Sequence, residues 1–151
     1  METDAATPAP APVWTIALLA LAPFPISAAL YAYGPAQFAQ GALTAILSWS
    51  ALVLSFLGGA RWGLESARPA PRWTRLSASV VSSVAAWALL MGRSHLSSAW
   101  LIGGFMGAFI LQWLFDHTAP DVPARYPRLS TVLTAGACVS LAVALEQALR
   151  M

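Results

Sequence analysis

The chain has 151 residues, 58% hydrophobic and only 9% charged, with a net charge of +2. A soluble domain carries about 25% charged residues, so the composition excludes a water-soluble globule, and the small charge gives no basis for nucleic-acid binding. A single cysteine, Cys138, excludes an internal disulfide or a cysteine metal cluster and reads as a small packing residue.

In chain order, residues 1–12 are rich in Ala and Pro and carry Glu2 and Asp4 with no basic residue. A secretory signal begins basic, so this segment is expected to be a short disordered tail. From Ala5 to Ala60, 56 residues pass without Asp, Glu, Lys or Arg. That is too long for one membrane crossing, since a hydrocarbon core of about 30 Å needs about 20 residues. Tyr33-Gly34-Pro35 supplies a turn, giving span one at 13–33 and span two at 38–60. Pro23 and Pro25 lie within span one, and proline removes a backbone donor and clashes with the preceding turn. A kink or local unwinding is expected over Ala22–Ile26. Broken helices line cavities in transporters, but the sequence shows neither a matching break nor an internal repeat.

Three more charge-free runs follow. Span three, at 76–91, carries Ser77, Ser79, Ser82 and Ser83, hydroxyls suited to bonding back along the helix or across to another. Span four, at 99–115, contains Gly103, Gly104 and Gly107. Span five occupies 129–145. Backbone groups cannot stay unpaired in lipid, and these runs lack the alternation of barrel strands. The expected fold is an all-α membrane protein, a bundle of five transmembrane helices forming one domain over 13–151. All eight basic residues are arginine. With five spans, Arg61, Arg68, Arg72, Arg75, Arg125 and Arg128 share one side, against Arg93 and Arg150 on the other. The positive-inside rule then puts the N-terminus in the cytoplasm and the C-terminus in the periplasm. Trp14, Tyr31, Tyr33, Trp62, Trp73 and Trp100 fall near the interfaces, where such rings prefer to sit.

The most distinctive stretch is Ser48–Gly63. At 3.6 residues per turn, Ser48, Ser55, Gly59 and Trp62 share one face of span two, and Leu54, Gly58, Arg61 and Glu65 share the neighbouring one. Small residues admit close helix approach, so Ser55, Gly58 and Gly59, with Gly103 and Gly107 of span four, are expected packing positions. Arg61 follows directly on the apolar run and must snorkel or find a partner. Glu65 lies one turn on and is one candidate. Gln112 and Asp116 share a face at the same end of span four. The expected cluster is therefore Arg61 against Asp116, with Gln112, Trp62 and Glu65 beside them. It serves either as a polar clamp fixing helix register or as a binding or proton-handling site. The four arginines from Arg61 to Arg75, with Trp73, form a basic loop that can also meet anionic lipid head groups.

Leu54-Ser-Phe-Leu-Gly-Gly-Ala-Arg-Trp-Gly63 closely resembles the signature of the DUF3429 family of transmembrane protein 69-like membrane proteins. Leu19-Ala-Leu-Ala-Pro-Phe24 is similar to that family's early Pro-Phe segment, and Ala108–Asp116 to its later Gln…Asp helix end. The family pattern often has His or Arg at the position of Arg61. The resemblance implies a small inner-membrane protein, mitochondrial in eukaryotes, and implies no particular reaction.

His95 and His117 are expected on opposite sides of the membrane, so they cannot share a metal or a haem. No catalytic set, metal site or cofactor site is expected. Three functions compete. The first is a non-enzymatic accessory or assembly protein of the bacterial inner membrane, partnered by membrane lipids, other inner-membrane proteins or a second copy. The second is a small carrier binding a lipid, quinone or solute at the polar ends of spans two and four. The third is an enzyme built on Arg61, Asp116 and His117, all at one rim. A solid five-helix core favours the first, and a groove between spans one, two and four ending at Arg61 favours the second.

Overall fold

The computed structural model describes residues 11–118 and 125–151, with backbone only for 125–127. Residues 1–10, most of the expected tail, and 119–124, which include Asp121, lie outside the described residues, as does the side chain of Arg125. Ala11 and Pro12, expected in the tail, already belong to the first helix.

Proline divides the first span as its chemistry requires. Helix α1 (Ala11–Leu21) ends just before Pro23, and α2 (Pro23–Tyr33) begins on it. The missing N–H of Pro23 strands the carbonyl of Leu19, which accepts instead from Ala22 N–H at 3.2 Å. Gly34 and Pro35 close the span, and a 3-10 turn, Ala36–Phe38, leads into α3 (Ala39–Ser66). An extended loop containing Pro69 and Pro71 leads to α4 (Trp73–Met91). A second 3-10 turn, Gly92–Ser94, connects to α5 (Ser98–His117), whose first turn is capped by Ser97 Oγ accepting from Trp100 N–H at 3.5 Å. Helix α6 (Arg125–Arg150) completes the described chain.

Among the described residues, five segments are long and apolar enough to cross a membrane: Ala11–Tyr33, Ala36–Ser66, Trp73–Ser94, Ser98–His117 and Arg128–Arg150. The protein is an all-helical, multi-pass membrane protein. The spans run further than their apolar stretches suggested. The second continues from Ala60 through Arg61 and Glu65 to Ser66, because both charges find partners beside the helix instead of ending it. Its 31 residues reach about 46 Å, well past a hydrocarbon core of about 30 Å, so its arginine-bearing end stands in the head-group layer or the helix tilts.

Helix α3 is the centre, packed against α2, α4 and α5, while α6 packs on α5, α2 and α1. The core is dry and closely fitted: Phe24, Leu47, Leu54, Phe105, Phe109 and Leu141 are fully buried, and the rings of Phe24 and Phe109 meet edge to face at 5.9 Å. Helix α1 differs from the rest, with none of its residues buried against the described bundle. It is tied down beside the proline break, where the indole Nε1 of Trp49 donates to the Ala20 carbonyl at 2.8 Å.

Of the expected packing positions, Gly58 is an inter-helix contact. A Cβ there would lie 2.5 Å from the Ser79 carbonyl oxygen, so α3 and α4 touch backbone to backbone. Ser55 is half-buried. Gly59, Gly103 and Gly107 are corrected: an added Cβ would meet nothing within 4 Å at any of them. The buried stripe of α3 is the one through Leu54, Gly58, Arg61 and Glu65, which turns Gly59 and Ser48 outward. On α5 the close contact falls at Gly104, against Leu89. Tyr31, expected at the interface, is buried, whereas Tyr33, Trp73 and Trp100 are exposed at helix ends.

Candidate functional site

The stripe that buries Leu54 and Gly58 also carries Arg61 inward, because positions three and four apart share a helix face. Asp116 arrives opposite it from the last turn of α5, one turn after Gln112. Both are deeply buried, Arg61 at 5% exposure and Asp116 at 0%. Arg61 Nε lies 3.2 Å from Asp116 Oδ1 but is not aligned for a hydrogen bond, so the contact is an ion pair. The guanidinium also lies over the Phe115 ring, 4.9 Å from its centroid, with Arg75 at 5.9 Å from the same ring.

The carboxylate is filled on both oxygens. Gln112 Nε2 donates to Oδ1 at 3.1 Å, and Ser130 Oγ of α6 donates to Oδ2 at 2.6 Å. Gln112 is held in turn by Ser82 of α4, whose hydroxyl donates to its Oε1. One connected network therefore joins α3, α4, α5 and α6. Buried charges in a low dielectric require this degree of satisfaction, since an unpaired one is costly.

The structure brings Arg61, Gln112 and Asp116 together and separates the other two expected members. Glu65 turns away to the loop before α4, lying 3.4 Å from Arg68 Nε and 3.6 Å from Arg72 Nε and accepting the Arg72 backbone N–H at 2.9 Å. It serves that loop, not Arg61. Trp62 is 47% exposed on the outer face, because one residue past Arg61 rotates about 100° around the helix. Two members were not placed in the cluster from sequence. Ser82 is one of four serines on span three with nothing to single it out, and Ser130 carries a weak signal, one of two adjacent hydroxyl residues, Ser130 and Thr131, at the start of span five level with Asp116. Beside the cluster, His117 is exposed, stacks on Trp113 with 4.4 Å between ring centroids, and lies 3.3 Å from Thr131 Oγ1. Among the described residues, no group of three or more His, Cys, Asp or Glu comes together as metal ligands.

A groove of about 600 Å³ runs between α1, α3 and α6, walled by Ile16, Ala20, Trp49, Phe56 and Leu133 and reaching Ala60 and Ser130 beside the cluster. It lies between spans one, two and five, not one, two and four.

Residues 9–146 match the family described as Protein of unknown function (DUF3429). The chain belongs to this family. The chain is similar to Transmembrane protein 69 of Xenopus tropicalis, 32% identical over 136 residues that cover 88% of this chain and 53% of that protein. The chain thus spans about half the length of the curated relative it matches. No solved structure matches it. The DUF3429 match takes in Arg61, Ser82, Gln112, Asp116 and Ser130, so every member of the network lies within the family region.

Proposed function

We propose that the protein is a non-enzymatic accessory of the bacterial inner membrane, and that the Arg61–Asp116 network is a lock holding four of its helices in register. The observation that carries this reading is the state of Asp116: both carboxylate oxygens are occupied from within the bundle, and none of its surface is exposed. A ligand or a travelling proton would have to break the network before using it. The partners this reading calls for are surrounding lipids, other inner-membrane proteins or a second copy, meeting the outward faces that Gly59, Gly103 and Gly107 leave open.

The proposed orientation has the N-terminus in the cytoplasm and the C-terminus in the periplasm. Arg61, Arg68, Arg72, Arg75 and Arg128 gather at one end of the bundle, and Arg93, which donates to Thr44 Oγ1 at 2.6 Å, and Arg150 lie at the other. The test is purification from native membranes in mild detergent, with co-purifying proteins identified by mass spectrometry. Stoichiometric recovery of the same inner-membrane protein with wild type and with Arg61→Met/Asp116→Leu supports the reading. Turnover of a substrate that is abolished in the same double variant overturns it.

A further inference from the structure

The groove between α1, α3 and α6 has a depth, a width and a rim that together specify an occupant. On α3 it extends from Ala60, at the arginine-rich end, to Trp49. The eleven steps between these residues, at 1.5 Å each, cover about 16 Å, and one leaflet of the hydrocarbon core is about 15 Å deep. The groove is therefore about one leaflet long, with its open end at the arginine-rich end of the bundle. Its walls are almost wholly apolar, and Ile16, Leu52 and Phe56 stand about two-thirds exposed along its lips. The hydroxyl of Ser130 in its floor is already committed to Asp116.

The groove lies where α1, seated on α6 through Leu21 against Gly136 and pinned to α3 by the Trp49 bond to Ala20, leaves its upper residues only partly covered. A gap of this kind is filled by something, since wall atoms facing a void lose their dispersion contacts. The groove offers about 600 Å³ between almost wholly apolar walls, a setting suited to lipid tails. At the head-group end, Arg128 is exposed and immediately precedes Leu129, which lines the groove.

We infer that this groove binds one acyl chain of an anionic glycerophospholipid from the leaflet on the arginine-rich side, with the lipid phosphate at Arg128. The inference does not depend on the accessory role proposed above.

The probe is phosphatidylglycerol, in competition with phosphatidylcholine, on the 151-residue chain in detergent, with retained lipids counted by native mass spectrometry. Wild type is expected to keep one phosphatidylglycerol. Ala17→Trp, which fills the groove, is expected to lose it. Val81→Trp, on the separate α4/α5 surface, is expected to keep it. Arg128→Gln is expected to keep a lipid while its preference for phosphatidylglycerol over phosphatidylcholine falls about fivefold, the share of one arginine near a membrane surface. A wild type that retains no lipid, or an Ala17→Trp protein that retains as much as wild type, overturns the inference. A measurement on the unaltered chain covers the case in which Ala17→Trp fails to fold. Phosphatidylglycerol with a photoreactive tail, carried in phosphatidylcholine vesicles, is expected to label 13–20, 49–60 and 129–133 above all other lipid-facing segments. Even labelling around the bundle, or a protein chain cross-linked across the groove in place of the lipid, contradicts it.

Discussion

Replacing Asp116 by alanine removes the acceptor on which three helices converge. The hydrogen bonds from Ser130 and Gln112 are the smaller part of the loss. In a membrane such bonds average about 0.6 kcal/mol each, because the unfolded helices also find partners in lipid. The larger part is Arg61, left 5% exposed without its counter-ion, and breaking a buried pair from one side costs about 3–5 kcal/mol. The total expected for Asp116→Ala is therefore about 4–6 kcal/mol, while Ser130→Ala costs about 1 kcal/mol. Arg61→Met/Asp116→Leu removes both charges and fills similar volume, a change that is often neutral or stabilising. Equilibrium unfolding in bicelles, titrated with a denaturing detergent, measures all three variants and the Arg61→Met and Asp116→Leu singles. The reasoning fails if Asp116→Ala unfolds within about 1 kcal/mol of wild type, or if the double variant loses as much as the two singles summed.

Three further outcomes follow from the same contacts. Gly58→Val pushes side-chain atoms against the Ser79 carbonyl, 2.5 Å from a Cβ, and is expected to cost about 1–3 kcal/mol in the same assay, with Gly59→Val near neutral. Trp49→Phe deletes the donor to Ala20 and is expected to speed hydrogen exchange in α1 while leaving α3 protected; unchanged exchange in α1 would contradict the pinning. Glu65→Ala frees the 67–72 loop from its carboxylate, so limited tryptic cleavage after Arg72 is expected to accelerate with the bundle intact, and an unchanged cleavage rate would count against that role.

The five spans were legible because charge is forbidden in lipid and the charges fall in short groups. Their ends were less legible. A count of apolar residues stops at Ala60, yet α3 continues to Ser66, since a charge that finds a partner does not end a helix. The approach of Arg61 to Asp116 could be read from level and helix face. The separation of Glu65 from that pair could not, because beyond its near neighbour Arg68 it is held by Arg72, which lies across a proline-rich loop whose path is set by tertiary structure. Small residues were misleading for a related reason. Gly58 and Gly59 are chemically identical and adjacent, and only the position of α4 distinguishes the buried one from the exposed one. The groove was half legible: Pro23 and Pro25 mark the break in the first span, but its walls come from α3 and α6, whose placement beside α1 no local pattern sets.

The most direct test of the lock is the composition of the native assembly around Arg61→Met/Asp116→Leu, expressed at wild-type level and recovered from native membranes. The account predicts a folded protein of wild-type abundance that keeps the same set of co-purifying proteins and lipids. A double variant that folds and accumulates normally yet loses one of those components would show that Arg61 and Asp116 form a working site, and would contradict the account.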